Sequence, residues 1–222
     1  MSIKENLERI EERICAACEK SGRSRDEVKL VAVSKRNPAE AVIEAAEAGQ
    51  ILFGENRVQE AQTKVSVCPQ HLHWHLIGHL QSNKARLAVG LFRMIHSVDS
   101  EKLLRALDEY ATTPLPILIQ VNISGEGSKS GCAPEEAAAL VDAANQCAQV
   151  EVHGLMTLPP FTPDPEKTRA HFSNLRKLRD QLQETTGTPL PKLSMGMSND
   201  FEIAIEEGAT FVRIGTDIFG SR

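Results

Sequence analysis

The sequence has no apolar stretch that approaches the roughly 20 residues a membrane-spanning helix needs. It also lacks the apolar core of a signal peptide, because residues 1–5 open a charged amphipathic segment. Positive charge is not in excess either: 25 Lys and Arg stand against 30 Asp and Glu, which gives a net charge of −5. We therefore expect no membrane partner, no secretion and no nucleic-acid binding.

The cysteines lack the regular framework of a disulfide-bonded protein. There are five of them, an odd number, and only Cys15 and Cys18 form a C-x-x-C pair. That pair falls within a helical pattern, whereas a redox motif needs it at a helix start after a strand, and no second pair completes a zinc site. We expect reduced thiols in a cytoplasmic protein.

Strand and helix patterns alternate along the chain after an amphipathic helix predicted over 3–20. The predicted strands cover 29–34, 51–53, 73–77, 93–98, 116–122, 150–156, 192–195 and 210–214. The helices predicted between them cover 38–48, 56–66, 82–90, 100–111, 134–147, 165–184 and 200–207. This alternation predicts an α/β fold, a single (β/α)8 TIM barrel with an extra N-terminal helix, in one domain over 1–222. The alternative, an open doubly wound sheet, needs a glycine-rich first turn, and residues 34–38 contain no glycine.

The first predicted strand ends in a lysine. Val31 and Val33 share a strand face with Lys35, because side chains alternate with period two. Active sites of barrels lie at the carboxyl ends of the strands, so an amine desolvated there is a candidate for a Schiff base. The plainer interpretation is a strand-end lysine that extends to water.

The ends of the last two predicted strands favour a bound anion. Strand seven runs into residues 194–200, with the sequence SMGMSND, and strand eight into 213–216, with RIGT. Small residues let backbone N–H groups approach a phosphate, and hydroxyl groups add donors. Either loop alone is explained by ordinary turn chemistry, but barrels often hold phosphate with both. With Lys35, they indicate a phosphorylated carbonyl cofactor.

These segments resemble those of the pyridoxal phosphate homeostasis proteins. The resemblance extends in order over nearly the whole chain and is carried by VAVSK at 31–35, FGENRVQE at 53–60, HLIGHLQSNK at 75–84, QVNI at 120–123, SKSG at 128–131, GLM at 154–156, and the segments 194–200 and 213–216. That family is similar to the barrel domain of alanine racemase, without its second domain. The resemblance therefore implies one alanine-racemase-like, pyridoxal-phosphate-binding barrel domain.

The resemblance implies pyridoxal 5′-phosphate as the cofactor, held as an aldimine. The residues it assigns to the cofactor are Lys35 for the aldehyde, Ser198, Gly215 and Thr216 for the phosphate, Ser194 as their neighbour, Asn56 beside the ring and Arg213 at the pyridine nitrogen. Arginine only donates hydrogen bonds, so it favours an unprotonated ring nitrogen, which is a poor electron sink. Two residues depart from the family pattern: Asn199 stands in place of an aspartate, and Asp217 adds a negative charge near the phosphate.

We expect a binding protein for homeostasis of the cofactor, and through it of amino and keto acids, rather than an enzyme. A racemase needs two proton-transfer groups on opposite faces of the substrate carbon. The related racemases take the second, a tyrosine, from their second domain, whereas the one tyrosine here, Tyr110, falls in a predicted helix. Racemase or transaminase activity should be weak at most. We expect a monomer, with pyridoxal-phosphate-dependent apo-enzymes as candidate recipients.

Two other functions compete with this one. His73 and His75 share a strand face, and His96, His153 and Asp217 lie near other strands, as in a metal-dependent barrel hydrolase. His73, however, begins its strand and so lies at the wrong end of a barrel. The segment 125–131, which includes Lys129, lacks the spacing of a nucleotide-binding P-loop. We interpret it as a loop that can close over the site.

Overall fold

Parallel strands close into a barrel in the computed structural model, which describes residues 2–126, 130–160, 162 and 164–220. In chain order they are β1 (Lys29–Val33), β2 (Leu52–Glu55), β3 (His73–Leu76), β4 (Met94–Val98), β5 (Leu115–Gln120), β6 (Val150–Met156), β7 (Lys192–Ser194) and β8 (Phe211–Ile214). Each strand pairs with the next, and β8 returns to pair with β1, with Phe211 opposite Lys29. The predicted (β/α)8 TIM barrel with its extra N-terminal helix is confirmed.

Helices surround the barrel on its outer face. They are α1 (Ile3–Lys20), α2 (Ala39–Glu47), α3 (Val58–Val65), α4 (Ala85–Val89), α5 (Glu101–Tyr110), α6 (Ala137–Asn145), α7 (Pro165–Thr186), α8 (Phe201–Glu206) and α9 (Thr216–Phe219). Short 3-10 turns precede β1, α4 and α6. The predicted bounds agree with these within the usual fraying of element ends, but α9 was not predicted. None of the helices described here combines the length and apolar character that crossing a lipid bilayer takes.

The N-terminal helix α1 covers part of the barrel. A capping box starts it, because Ser2 Oγ accepts the Glu5 N–H while the Glu5 carboxylate accepts the Ser2 N–H. Its buried side chains, which include Ile10 and Ile14, recur at helical spacing. They pack α1 against α2, α8 and α9. Because α9 has only four residues, α1 supplies the outer layer between α8 and α2.

Apolar side chains fill the barrel on both sides of its wall. The larger core lies between strands and helices, and a smaller inner cluster contains Val31, Val33, Ile77, Met94, Leu118, Met156 and Phe211. Gly154 allows β6 and β7 to approach closely, because an added Cβ would lie only 1.8 Å from the Lys192 carbonyl oxygen. The barrel interior is therefore packed below the carboxyl ends of the strands, and a cavity opens above it at that end.

Candidate functional site

A cavity of about 560 Å³ opens at the carboxyl ends of the strands, the end at which barrels carry their sites. Its volume lies in the range of small-molecule sites. It brings together all of the sequence-predicted cofactor residues except Ser194. Those that line it are Lys35, Asn56, Ser198, Arg213, Gly215 and Thr216. Val33, Ile77 and Leu158 add an apolar wall, which suits a flat ring.

Lys35 follows the end of β1 and lies at the mouth of this cavity. The preceding residue, Ser34, is fully buried, whereas Lys35 is exposed. The desolvated lysine expected from the sequence is therefore not found. An exposed amine at the mouth is instead accessible to an aldehyde that arrives from solvent.

The loops after β7 and β8 form the opposite wall. Gly215 lies so close to β1 that an added Cβ would be 3.1 Å from the Val33 carbonyl oxygen. Gly196 has φ +92°, a left-handed conformation that favours glycine, and an added Cβ would lie 2.6 Å from the Ala204 side chain. These two close approaches shape the wall to which Ser198 and Thr216 contribute. Backbone and hydroxyl donors of this kind suit a phosphate.

Asp217 does not stand as an unpaired negative charge beside that wall. Its Oδ2 lies 2.9 Å from Arg13 Nη1, and the same guanidinium contacts Glu202 at 2.7 Å. The Arg13 guanidinium also lies 4.4 Å from the centroid of the Phe201 ring. In addition, Asn6 Nδ2 donates to the Ile218 carbonyl at 2.9 Å. Helix α1 therefore neutralises Asp217 and joins α8 to α9.

Arg213 is the buried cation of the cavity. It is only 3% exposed. Its Nη1 donates to Ser194 Oγ at 2.6 Å and its Nη2 to the Thr157 carbonyl at 2.9 Å. Burial lowers the pKa of the guanidinium to about 10, so it remains charged at neutral pH. Ser194 is fully buried and contacts Arg213, so it lies behind the cavity wall and not among the lining residues predicted to hold phosphate.

Two buried histidines extend the hydrogen bonding of Arg213 and Ser194 into the barrel. His96 Nδ1 lies 2.9 Å from Ser194 Oγ, and His96 Nε2 lies 2.9 Å from His75 Nδ1. Because Arg213 can only donate, Ser194 Oγ accepts from it. The Ser194 hydroxyl and the two rings then complete a continuous series of hydrogen bonds. We call these four residues the histidine chain.

Burial keeps both rings of the histidine chain neutral. It lowers the pKa of His75 to about 3, and it lowers the pKa of His96 well below its ordinary value. The ring nitrogens that face each other are already in a hydrogen bond. His73 begins β3 at the other end of the barrel, and His153 contacts Glu151 at 3.2 Å. The described residues include no group of three or more His, Cys, Asp or Glu that could hold a metal, so the hydrolase alternative is not supported.

The segment predicted to close over the site includes residues 127–129, with Lys129, which lie outside the described residues. A buried charged cluster next to Lys35, which was not predicted, is formed by Ser34, Glu55, Glu60 and Lys64. The i,i+4 spacing of Glu60 and Lys64 was its one local signal.

Comparison with known proteins agrees with the resemblance. The chain matches the family described as alanine racemase, N-terminal domain, over residues 4–222. The pyridoxal phosphate homeostasis protein of Aquifex aeolicus is 44% identical over 226 residues, which cover 100% of this chain and 99% of that protein. The protein of the same name from Pseudomonas aeruginosa is 45% identical over 225 residues, which cover 100% and 96%.

A solved structure extends the comparison to three dimensions. The structure of PipY from Synechococcus elongatus PCC7942 with PLP bound has a TM-score of 0.81 and 38% sequence identity to this chain. The match covers 99% of this chain and 100% of the PipY chain. Similarity therefore extends over the whole barrel.

Proposed function

The chain belongs to the pyridoxal phosphate homeostasis protein family, and from that premise we propose that it binds pyridoxal 5′-phosphate in the cavity at the carboxyl end of its barrel. The proposed role is homeostasis of this cofactor, and through it of amino and keto acids. One observation carries the proposal: a single cavity is lined by an accessible lysine, a buried arginine and a loop of glycine and hydroxyl residues.

The chemistry of the lining residues fits the parts of this cofactor. Pyridoxal 5′-phosphate supplies an aldehyde that condenses with an amine, and Lys35 offers that amine. Ser198, Gly215 and Thr216 are proposed to hold the phosphate. Gly215 supports this, because it lines the cavity and its close approach to β1 leaves little room for a side chain. Asn56 is proposed to lie beside the ring, against the apolar wall.

Arg213 supports binding without efficient catalysis. We propose that it donates to the pyridine nitrogen and thereby keeps that nitrogen unprotonated, which makes the ring a poor acceptor of negative charge. Ser194 is proposed to act through Arg213, whose Nη1 donates to it. Tyr110 supports the same conclusion. It ends α5 and lines a separate cavity with Pro114 and Pro116, at the amino end of β5. Racemase or transaminase activity is proposed to be weak at most.

Other properties follow as parts of the same proposal. We propose that residues 1–222 form one pyridoxal-phosphate-binding domain, and that it acts as a monomer in the cytoplasm. All five cysteines are free thiols, which is consistent with a reducing compartment. Pyridoxal-phosphate-dependent apo-enzymes are the proposed recipients of the cofactor. Sedimentation tests whether the protein is a monomer, and a transfer assay with a purified apo-enzyme tests whether such enzymes receive the cofactor.

The absorption spectrum of the protein, incubated with pyridoxal 5′-phosphate and then separated from unbound cofactor, tests the central proposal. We expect a yellow protein whose colour is lost on borohydride reduction, with the reduced adduct on the peptide that contains Lys35. The Lys35→Ala variant should stay colourless. Lys177→Ala, which removes an exposed lysine of α7, should behave as wild type. A wild-type protein that stays colourless, or an adduct on another lysine, would overturn the proposal.

A further inference from the structure

The charged cluster lies directly behind Lys35, between β1, β2 and α3. Glu55 ends β2, and Glu60 and Lys64 stand one turn apart on α3. The Glu55 side chain is fully buried, the Lys64 side chain is 6% exposed and the Glu60 side chain 23%. Buried ion pairs seldom stabilise a fold more than apolar packing would. A specific positioning role would account for charges at this place.

Lys64 contacts three acceptors at hydrogen-bond distance. Its Nζ lies 2.6 Å from Glu55 Oε1, 2.8 Å from Glu60 Oε1 and 2.7 Å from the Ser34 carbonyl oxygen. Three acceptors match the three N–H donors of an ammonium group. The Ser34 hydroxyl also donates to Glu55 Oε1 at 2.7 Å. Ser34 is thus held through both its side chain and its carbonyl.

The cluster also holds the residue after Lys35. The Arg36 backbone N–H donates to Glu60 Oε1. Arg36 has φ +59°, a left-handed conformation that is uncommon for residues other than glycine. Such a conformation persists where the surroundings determine it. The bond from Glu60 is one such determinant.

These contacts flank Lys35 on both sides. The Ser34 carbonyl belongs to the peptide group that enters Lys35, and the Arg36 N–H belongs to the peptide group that leaves it. Lys64 holds the first group, Glu60 holds the second, and Lys64 and Glu60 contact each other. Both peptide groups around the Lys35 Cα are therefore bound to one rigid unit on α3.

We propose that Glu55, Glu60 and Lys64 are positioning residues that fix the backbone of Lys35 so that its amine meets the cofactor aldehyde. This inference rests on the proposed function. In that reaction the neutral amine adds to the aldehyde carbon, a carbon–nitrogen double bond replaces the carbon–oxygen double bond, and the oxygen leaves as water with the two hydrogens of the amine. The cluster takes no part in the bond changes. It fixes the base of a long flexible side chain before the aldehyde arrives, which favours the bonded state.

A merely structural role for the cluster would affect all ligands of the cavity alike. Pyridoxine 5′-phosphate separates the two cases, because it has the ring and the phosphate but an alcohol in place of the aldehyde. Glu60→Ala is the informative variant. It removes the acceptor of the Arg36 N–H while Lys64 keeps its contact with Glu55, so no buried charge is left unpaired. Glu60→Gln keeps an oxygen acceptor at the same place.

Titration of each protein with both ligands, followed by borohydride trapping at Lys35, tests the inference. We expect Glu60→Ala to bind pyridoxal 5′-phosphate about tenfold more weakly, as for one lost hydrogen bond to a charged group. Its affinity for pyridoxine 5′-phosphate should be unchanged, and Glu60→Gln should recover most of the loss. Glu101→Ala is the matched control, because it removes an i,i+4 carboxylate from the exposed pair with Arg105 on α5.

The outcomes separate this inference from the function on which it rests. If wild type forms the trapped bond and Glu60→Ala binds pyridoxal 5′-phosphate equally well, the inference is overturned and the function stands. An equal loss for both ligands would also overturn it, since it would indicate a general change of the cavity. If wild type forms no bond at Lys35, the proposed function fails first.

Discussion

The molecule contains two buried polar networks, one on each side of the barrel wall, and they are built in opposite ways. The histidine chain lies inside the barrel and is neutral except for Arg213. The charged cluster lies outside it, where α3 supplies Lys64 and Glu60 against the buried Glu55. In the histidine chain, burial keeps the two rings neutral and Arg213 carries the charge. Outside the barrel, a neighbouring helix can provide counter-charges.

Each network is joined to one residue that lines the cavity. The histidine chain includes Arg213, which donates to Ser194, and the charged cluster holds the backbone on both sides of Lys35. The two also respond to pH in opposite directions. Burial lowers the pKa of the two histidines, whereas it raises the pKa of Glu55. One network therefore opposes proton uptake on folding, and the other favours it.

The largest expected effect comes from removing the cation of the charged cluster. Lys64→Met preserves much of the side-chain length but leaves Glu55 buried without its positive partner. One carboxylate oxygen of Glu55, Oε2, already has no hydrogen-bond partner among the described residues. We expect the free energy of unfolding to fall by about 3–5 kcal/mol, as for a broken buried ion pair. Urea unfolding without ligand measures it.

Lys177→Met, on the exposed face of α7, is the control for Lys64→Met and should change stability by no more than about 0.5 kcal/mol. A loss below about 1 kcal/mol in Lys64→Met would mean that Glu55 is not held as a carboxylate. The contrast between the two networks would then be lost.

The histidine chain should make the protein less stable in acid. An unfolded histidine takes up a proton near pH 6.5, whereas His75 in the folded state does so only near pH 3. The stability that the neutral ring of His75 contributes is therefore fully present above pH 6.5 and is lost as pH falls toward 3. Each such histidine lowers the free energy of unfolding by about 1.4 kcal/mol per pH unit within that range.

His96→Gln isolates this pH dependence, because it removes one titrating ring but keeps a group that can donate and accept. Urea unfolding at pH 6, 5.5 and 5 should show a slope that is smaller than that of wild type and approaches the limiting difference of about 1.4 kcal/mol per pH unit. Comparing slopes cancels any constant loss from imperfect packing. Equal slopes would indicate that the ring of His96 is charged in the folded protein.

The smallest effect is expected at the turn after Lys35. Arg36→Gly removes the cost of a left-handed residue, about 1 kcal/mol. The greater freedom of glycine in the unfolded chain offsets part of this gain. We expect a net stabilisation of about 0.5 kcal/mol in thermal unfolding without ligand. Arg36→Ala, which keeps a Cβ, should show no gain. A gain in both variants would locate the cost in the arginine side chain and not in the backbone.

The barrel could be predicted from the sequence because its signals are local. Residues 29–34 and 116–122 are short apolar runs bounded by turn residues, and such runs identify strands within a window of a few positions. Their alternation with helical patterns then predicts the closed barrel. Helix α9 was not predicted from the sequence, because four residues are too few to show a helical period.

The candidate site could be predicted only in part, because only some of its residues have a local signal in the sequence. Lys35 and Arg213 follow or end recognisable strands, so their place at one end of the barrel could be inferred. The exposure of Lys35 could not, since it depends on what the other strands leave open above it. Nor could the position of Ser194 behind the cavity wall, which depends on its contacts with Arg213 and His96.

By itself the sequence determined the strands, the helices, the lysine at the end of β1 and the phosphate-type loops, because each of these depends on neighbours within a turn or a strand. Tertiary structure alone decided which side chains pair with each other over long sequence separations. Closure of β8 on β1 brings Arg13 to Asp217, 204 positions away, and brings His96 to Ser194, 98 positions away. Side-chain pairing over such separations follows from the geometry of the closed barrel, and no local pattern in the sequence indicates it.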